Sequence, residues 1–169
     1  VFIATSLDGF IARRDGSIDW LAAVERPGED YGSTAYYASV DTIVMGRKTY
    51  DTAIGFEPWP YARMRCVVLT SDRARTSRHG EAFYSGDLAA LLDRLGAEGA
   101  RHMYIDGGTI IGQALAAGLV DEVTVSLIPV LLGDGTPLAP GLGADVRLEL
   151  VEHRAFPSGL VQLRYRPRP

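Results

Sequence analysis

One cysteine, Cys66, is the entire thiol content of the 169 residues. That excludes an internal disulfide and any multi-cysteine zinc site, and it fits a reducing cytoplasm. Cys66 sits inside the apolar run R-C-V-V-L-T, where it reads as an inert core residue. Basic excess is also lacking: a formal net charge of -4 leaves no surplus to neutralise a nucleic-acid backbone, although local cations can still hold a small anion. No apolar stretch is long enough to span a membrane and no signal-peptide pattern is present, so the expectation is a cytoplasmic protein with neither membrane nor nucleic-acid partner. The chain opens in a strand at Val1 without an initiator methionine, as a trimmed chain would.

Several motifs are missing as well. Neither G-x-G-x-x-G nor G-x-x-x-x-G-K-[ST] occurs, which removes the commonest phosphate loops. No H-x-E accompanies a C-x-x-C, which removes zinc deaminase chemistry. His79, His102 and His153 have no metal-ligand spacing, so no metal is expected and His102 is assigned a structural role. Ser6, Ser71 and Ser126 lack a nucleophile-elbow context.

What remains is an ordinary globular composition, 47% hydrophobic and 22% charged, over a length suited to one domain with a single core, residues 1–169. The chain is organised around D-T-I-V-M-G-R-K-T-Y, Asp41 to Tyr50. Thr42 to Met45 reads as a buried parallel strand that stops at Gly46 before two cations and Thr49. A helix opening there turns unpaired N–H groups and a positive dipole end outward beside Arg47 and Lys48, which suits a phosphate; the bland alternative is a turn with solvated cations.

Taken in order, Val1 to Thr5 reads as a buried strand, followed by the turn Asp8-Gly9. A helix is expected from Asp30 to about Ser39 with Asp30 as N-cap, and a short one from about Thr49 to Gly55. Arg65 to Thr70 and Ala82 to Tyr84 read as strands. Leu88, Leu91, Leu92 and Leu95 follow the helical i, i+3, i+4, i+7 rule behind Asp87. His102 to Asp106 is a strand ending at Gly107-Gly108, Thr109 to Ala117 a helix stopped by Gly118, and Glu122 to Pro129 a strand. Strands Val146–Arg154 and Leu160–Arg166 close the chain as a hairpin. The alternation implies an α/β protein with helices on both sheet faces. Ligands in such sheets bind beyond the strands' carboxyl ends, where Gly46–Thr49, Thr70–Arg73 and Asp106–Thr109 fall.

The segments I-A-T-S-L-D-G-F-I-A, I-V-M-G-R-K-T-Y, V-V-L-T-S-D, Y-I-D-G-G-T-I-I and P-V-L-L-G-D-G-T-P-L resemble the dihydrofolate reductase superfamily. They resemble most the branch containing the riboflavin-biosynthesis reductase domain and its stand-alone relatives. The resemblance implies a three-layer fold with a mainly parallel eight-stranded sheet, helices on both faces and a C-terminal antiparallel hairpin. It also implies NADPH across the strand ends and a heterocyclic substrate beside the nicotinamide. Position by position, Gly46, Arg47, Lys48 and Thr49 match the segment for the pyrophosphate and adenosine phosphate, and Thr70, Ser71 and Arg73 the 2′-phosphate loop. Gly107, Gly108 and Thr109 match the glycine pair and helix start beneath the dinucleotide, whose peptide the resemblance leaves open as cis or trans. Ala4, Thr5 and Ile11 match the nicotinamide side, and Trp20 a tryptophan of the loop that closes on it.

The implied chemistry is hydride transfer from NADPH to a C=N or C=O of a pterin-like or pyrimidine-like compound. A carboxylate proton donor falls at Asp30 when counted back from Met45-Gly46 and at Glu25 when counted forward from Trp20; Asp30 is the candidate, with an N-cap as its alternative role. Two other readings stay open. One is an NADP(H)-binding module without turnover. The other is a riboflavin-pathway pyrimidine reductase lacking its deaminase, with Arg13, Arg14, Arg63 or Arg65 available for a phosphate. The resemblance further implies a homodimer, with the apolar run Ser126 to Leu132 as thin support. It also implies poor use of dihydrofolate, because Met64 stands where folate reductases carry the arginine that clamps the glutamate tail.

Overall fold

The structure, a computed structural model, describes residues 1–72 and 74–168. Its centre is the strand of the opening motif, β3 (Thr42–Gly46). Counting outward in chain order, the other strands are β1 (Phe2–Ser6), β2 (Phe10–Ala12), β4 (Arg65–Leu69), β5 (Ala82–Tyr84), β6 (Met103–Asp106), β7 (Val123–Ile128), β8 (Thr136–Pro137), β9 (Leu148–Ala155) and β10 (Val161–Pro167). The helices are α1 (Ser33–Ser39), α2 (Arg47–Ala53), α3 (Leu88–Ala97) and α4 (Gly108–Ala116), with a 3₁₀ helix at Asp19–Val24.

Ile43, Val44 and Met45 have no exposed surface, and successive side chains leave β3 on opposite faces. Ile43 and Met45, with Cys66, Val68 and Tyr104, pack against Tyr36, Tyr37, Tyr50 and Ala53 of α1 and α2. Val44, Val67 and Ile105 pack against the leucines of α3 and Ile110, Ile111 and Ala114 of α4. Helices therefore cover both faces, as expected. Burial pushes the Cys66 thiol up to about 12, in keeping with an inert core residue.

The sheet order is β5-β4-β3-β6, entirely parallel, and β1-β7-β10-β9, in which β10 runs antiparallel to both neighbours; β2 and β8 form a separate pair. The single eight-stranded sheet expected above is thus divided into two hydrogen-bonded ladders among the described residues. β1 and β6 are in contact at the division, but the Phe2 carbonyl accepts from the Tyr104 hydroxyl (2.9 Å) rather than from a backbone N–H of β6. The antiparallel hairpin β9–β10 is present, and β9 is exposed along its whole length.

Local departures have local causes. α1 begins three residues after Asp30 because Tyr31 and Gly32 adopt left-handed backbone angles (φ 54° and 81°). α2 starts at Arg47, two residues earlier than expected, directly at the end of β3. α3 follows its leucine spacing, and the Asp87 carboxylate accepts from the Ala90 N–H at 2.9 Å. β2 and β8 pair with each other across the chain, in the segments after the Asp8-Gly9 turn and within the Gly- and Pro-rich loop after β7. His102 is structural: its N–H donates to Asp41 (2.9 Å) and its Nδ1 lies 3.1 Å from the Ser39 carbonyl. Within the run Ser126 to Leu132, Ser126 and Ile128 are buried in β7 and Leu131 is exposed. No helix among the described residues is long and apolar enough to cross a membrane.

The loop between β4 and β5 is tied down by a buried carboxylate. Glu81 accepts from the Tyr50 hydroxyl, from the Arg78 and His79 N–H groups (both 2.8 Å) and from the Ser77 hydroxyl (3.3 Å). Burial alone raises this carboxyl, but the donors outweigh it and hold its pKa at about 2. A depressed carboxyl contributes stability above its unfolded value and loses it as pH falls toward the folded one. Glu81→Gln is expected to destabilise the domain by roughly 2 kcal/mol at neutral pH in denaturant unfolding, with the difference from the parent shrinking below pH 4.

Candidate functional site

A cleft of about 1470 Å³ opens along the edge where β3 and β6 end. Parallel register sets that edge, because Met45 pairs with Asp106 and each strand turns into a helix one or two residues later. Gly46, Arg47, Lys48 and Thr49 line one part of the cleft together with Gly107, Gly108 and Thr109. Neither Gly46 nor Gly107 can offer a side-chain cap, so the first-turn N–H groups of α2 and α4 face the same space. Two positive dipole ends meeting there suit a multiply charged anion.

Gly107 makes the meeting possible. It has φ 93°, and a Cβ at that position would collide with Thr49 Oγ1 and stand 3.7 Å from the Gly46 nitrogen. Gly108 is needed for another reason: a Cβ there would strike the Pro137 carbonyl, so its bare face packs α4 against the loop leading from β8. Both peptides of Asp106-Gly107-Gly108 are trans; the cis bond found among the described residues is Glu57–Pro58.

A second part of the cleft is apolar, with Ala4, Ile11, Ile18, Leu21 and Ile128. A third combines Tyr37, Tyr61 and Tyr104 with Asp106. The Tyr37 ring centroid lies 6.3 Å from that of Tyr61 and 6.0 Å from that of Tyr104. Burial raises all three phenols, which therefore remain hydrogen-bond donors. Asp106 is 8% exposed, and burial raises its carboxyl to about 6 despite the Gly107 N–H donated to it at 2.8 Å. Every other carboxylate lining the cleft is exposed.

The family model of the RibD C-terminal domain matches residues 1–162. The chain belongs to the RibD C-terminal domain family. It is 35% identical over 167 residues to the uncharacterized protein YwjB of Bacillus subtilis, covering 98% of this chain and 95% of that one. Over 72 residues, 38% of this chain and 33% of the relative, it is 39% identical to the 2,5-diamino-6-ribosylamino-4(3H)-pyrimidinone 5′-phosphate reductase of Methanothermobacter thermautotrophicus. Among solved structures, a putative riboflavin biosynthesis protein from Shewanella sp. PV-4 superposes with a TM-score of 0.92 at 34% identity, covering 99% and 97% of the two chains. The fold also matches dihydrofolate reductase from Enterococcus faecalis, complexed with NADP(H), with a TM-score of 0.67 at 16% identity over 99% and 95%. The resemblance read from the motifs is therefore correct at the level of superfamily and branch.

Within this RibD-type domain the predicted site residues separate into groups. Ala4, Ile11, Asp30, the Gly46–Thr49 segment and the Gly107–Thr109 segment all line the cleft. Thr5 does not: it is 1% exposed, and the alternation of β1 turns it away from Ala4. Thr70 and Ser71 follow β4 on the same sheet edge but lie outside the cleft lining, and Arg73 lies outside the described residues. Arg75, which no sequence signal singled out, ties that loop to α2 by pairing with Asp51 and Asp72, and Asp51 also pairs with Arg47 (3.1 Å). Trp20 is a core residue packed with Ile128, Phe156 and Leu160 in the 3₁₀ helix, not a residue closing on the cleft.

Asp30 is a poor proton donor. Its exposed carboxylate accepts from the Gly32 (2.9 Å) and Thr34 (3.1 Å) N–H groups, and hydrogen bonds from Thr34 and Gly32 hold it below the usual range. It acts as the loop's cap. Asp106 is the carboxyl the sequence reading passed over, although the alternation in Y-I-D already puts Tyr104 and Asp106 on one face at a strand end. A raised carboxyl costs stability when ionised, so the domain should lose stability as pH rises from about 4 to 6. Asp106→Asn is expected to stabilise by about 2–3 kcal/mol above pH 7 and to be neutral below pH 4, as read by unfolding curves at several pH values.

Proposed function

We propose that the chain is an NADPH-dependent reductase acting on a pterin-like or pyrimidine-like ring. One observation carries the reading: two open helix starts face one part of a cleft that continues onto aromatic rings and a single buried carboxyl. Family membership and the pyrimidinone reductase among its relatives support it.

The residues present fit a dinucleotide phosphate. The first-turn N–H groups of α2 and α4 would hold the pyrophosphate, with Arg47, Lys48 and Thr49 beside it. Thr70 and Ser71, farther along the same edge, are proposed for the adenosine 2′-phosphate. When bound, NADPH supplies the hydride. The chain's own part is orientation and proton supply. Ala4, Ile11 and Ile128 offer an apolar wall that excludes water from the reacting faces. Tyr37 and Tyr61 orient a flat ring by stacking and by phenolic hydrogen bonds, and Tyr104, whose hydroxyl is held by the Phe2 carbonyl, backs them as an apolar ring face. Asp106 holds the proton: with a pKa of about 6, roughly a tenth of the molecules carry it at pH 7, far more than for an ordinary aspartate.

NADPH should bind more tightly than NADH by about tenfold or more, since one charged hydrogen bond to the extra phosphate suffices for that ratio. Titration calorimetry giving equal affinities would remove the assignment. In steady-state assays the acid-form requirement predicts that kcat/KM falls as pH rises through about 6. Asp106→Asn should lower kcat by about 10² or more and abolish that limb, whereas Asp30→Asn should keep it. A limb that survives in Asp106→Asn would rule Asp106 out as the proton source.

A further inference from the structure

We propose that the substrate part of the cleft selects a flat, phosphate-free ring compound, neutral or cationic, and rejects phosphorylated ones. This rests on the reductase reading and narrows its substrate class away from the phosphorylated pyrimidinone of the archaeal relative.

Charge along the cleft is divided by element. The start of α2 contributes Arg47 and Lys48, and Arg14 lies in the same lining. The segment before α1 contributes Glu25, Glu29 and Asp30 against one cation, Arg26, whose guanidinium donates to the Glu25 carbonyl at 2.7 Å. The same cleft is lined by the buried carboxyl of Asp106 and by the Tyr37, Tyr61 and Tyr104 rings. A phosphate tail on a ring seated there meets three carboxylates against the single guanidinium of Arg26, a local excess of negative charge.

Three of the other arginines that could meet a phosphate tail are paired with carboxylates, which leaves Arg26 as the cation of that segment. Arg13 makes a two-point pair with Asp19 (2.7 and 3.3 Å), and Arg14 pairs with Asp134. Arg65 pairs with Glu98 at 2.6 Å from the start of β4, the strand end opposite the cleft. Arg63 is not part of the cleft lining. Rings and a buried acceptor recognise a planar heterocycle with N–H donors, and like-charge juxtaposition penalises anionic substituents.

Titration calorimetry on the full chain with two matched probe pairs tests this. The pairs are riboflavin against flavin mononucleotide, and a 6-ribosylamino-pyrimidinone against its 5′-phosphate. The phosphate-free member of each pair should bind about tenfold tighter or more at low salt. The ratio should shrink in 0.5 M salt and in the Glu25→Gln/Glu29→Gln double variant. In that variant the side-chain amide replacing the Glu29 carboxylate retains a carbonyl to accept from the Tyr31 N–H. Equal affinities, preference for the phosphorylated member, or no binding of either phosphate-free member at millimolar concentration would overturn the proposal. NADPH binding is titrated in parallel: its loss would sink the reductase reading, while the probe ratio still reports on the charge of the pocket.

Discussion

The approach of Gly107 to Thr49 is the constraint on which the cleft depends. β3 and β6 are parallel neighbours in register, so their chains leave the sheet at the same height and both turn at once into helices. Two helix starts emerging from adjacent strands would ordinarily be kept apart by side chains. A bare Cα at φ 93° removes the obstacle and brings the Gly46 and Gly107 backbones together. The result is a concentration of unpaired N–H groups that no single helix provides. Asp106 immediately precedes this turn, so the geometry that makes the anion site also fixes where the buried carboxyl stands.

The two hydrophobic clusters explain why that carboxyl is buried. β3, β4 and β6 alternate between a cluster rich in tyrosine under α1 and α2 and an aliphatic one under α3 and α4. Asp106 shares its face with Tyr104, and the phenols crowd it without supplying a positive charge. Desolvation then dominates over the one backbone donor. Glu81 shows the opposite balance: it is also buried, but four donors converge on it and its carboxyl is driven down. Deeper desolvation with few donors thus makes a proton holder of Asp106, while four donors make an anchor of Glu81.

Charge along the cleft follows the elements that supply it. Arg47 and Lys48 stand where α2 begins, and acidic side chains occupy the irregular segment before α1, where Glu29 and Asp30 also satisfy loop N–H groups. Asp30 is informative here. Its position suggested a proton donor by analogy, yet left-handed angles at Tyr31 and Gly32 leave N–H groups that need an acceptor, and the carboxylate is spent on them.

The sequence by itself determined the elements and the superfamily. The run Thr42 to Met45, the leucine spacing behind Asp87 and the paired glycines each report on their own backbone and on one buried face, which is local information. Five ordered motifs made the branch legible from end to end. Only the tertiary structure decided what stands beside what: that Tyr104 donates to the Phe2 carbonyl where the two ladders meet, that Trp20 is core, and that Thr5 turns from the cleft. It also decided that Thr70 and Ser71 fall just beyond the cleft lining that ends at Leu69 on β4, and that Asp106 rather than Asp30 is the desolvated acid. Those outcomes depend on strand order and on contacts between residues as far apart as Phe2 and Tyr104, and desolvation and donor count are properties of the packed neighbourhood that periodicity along a chain does not encode.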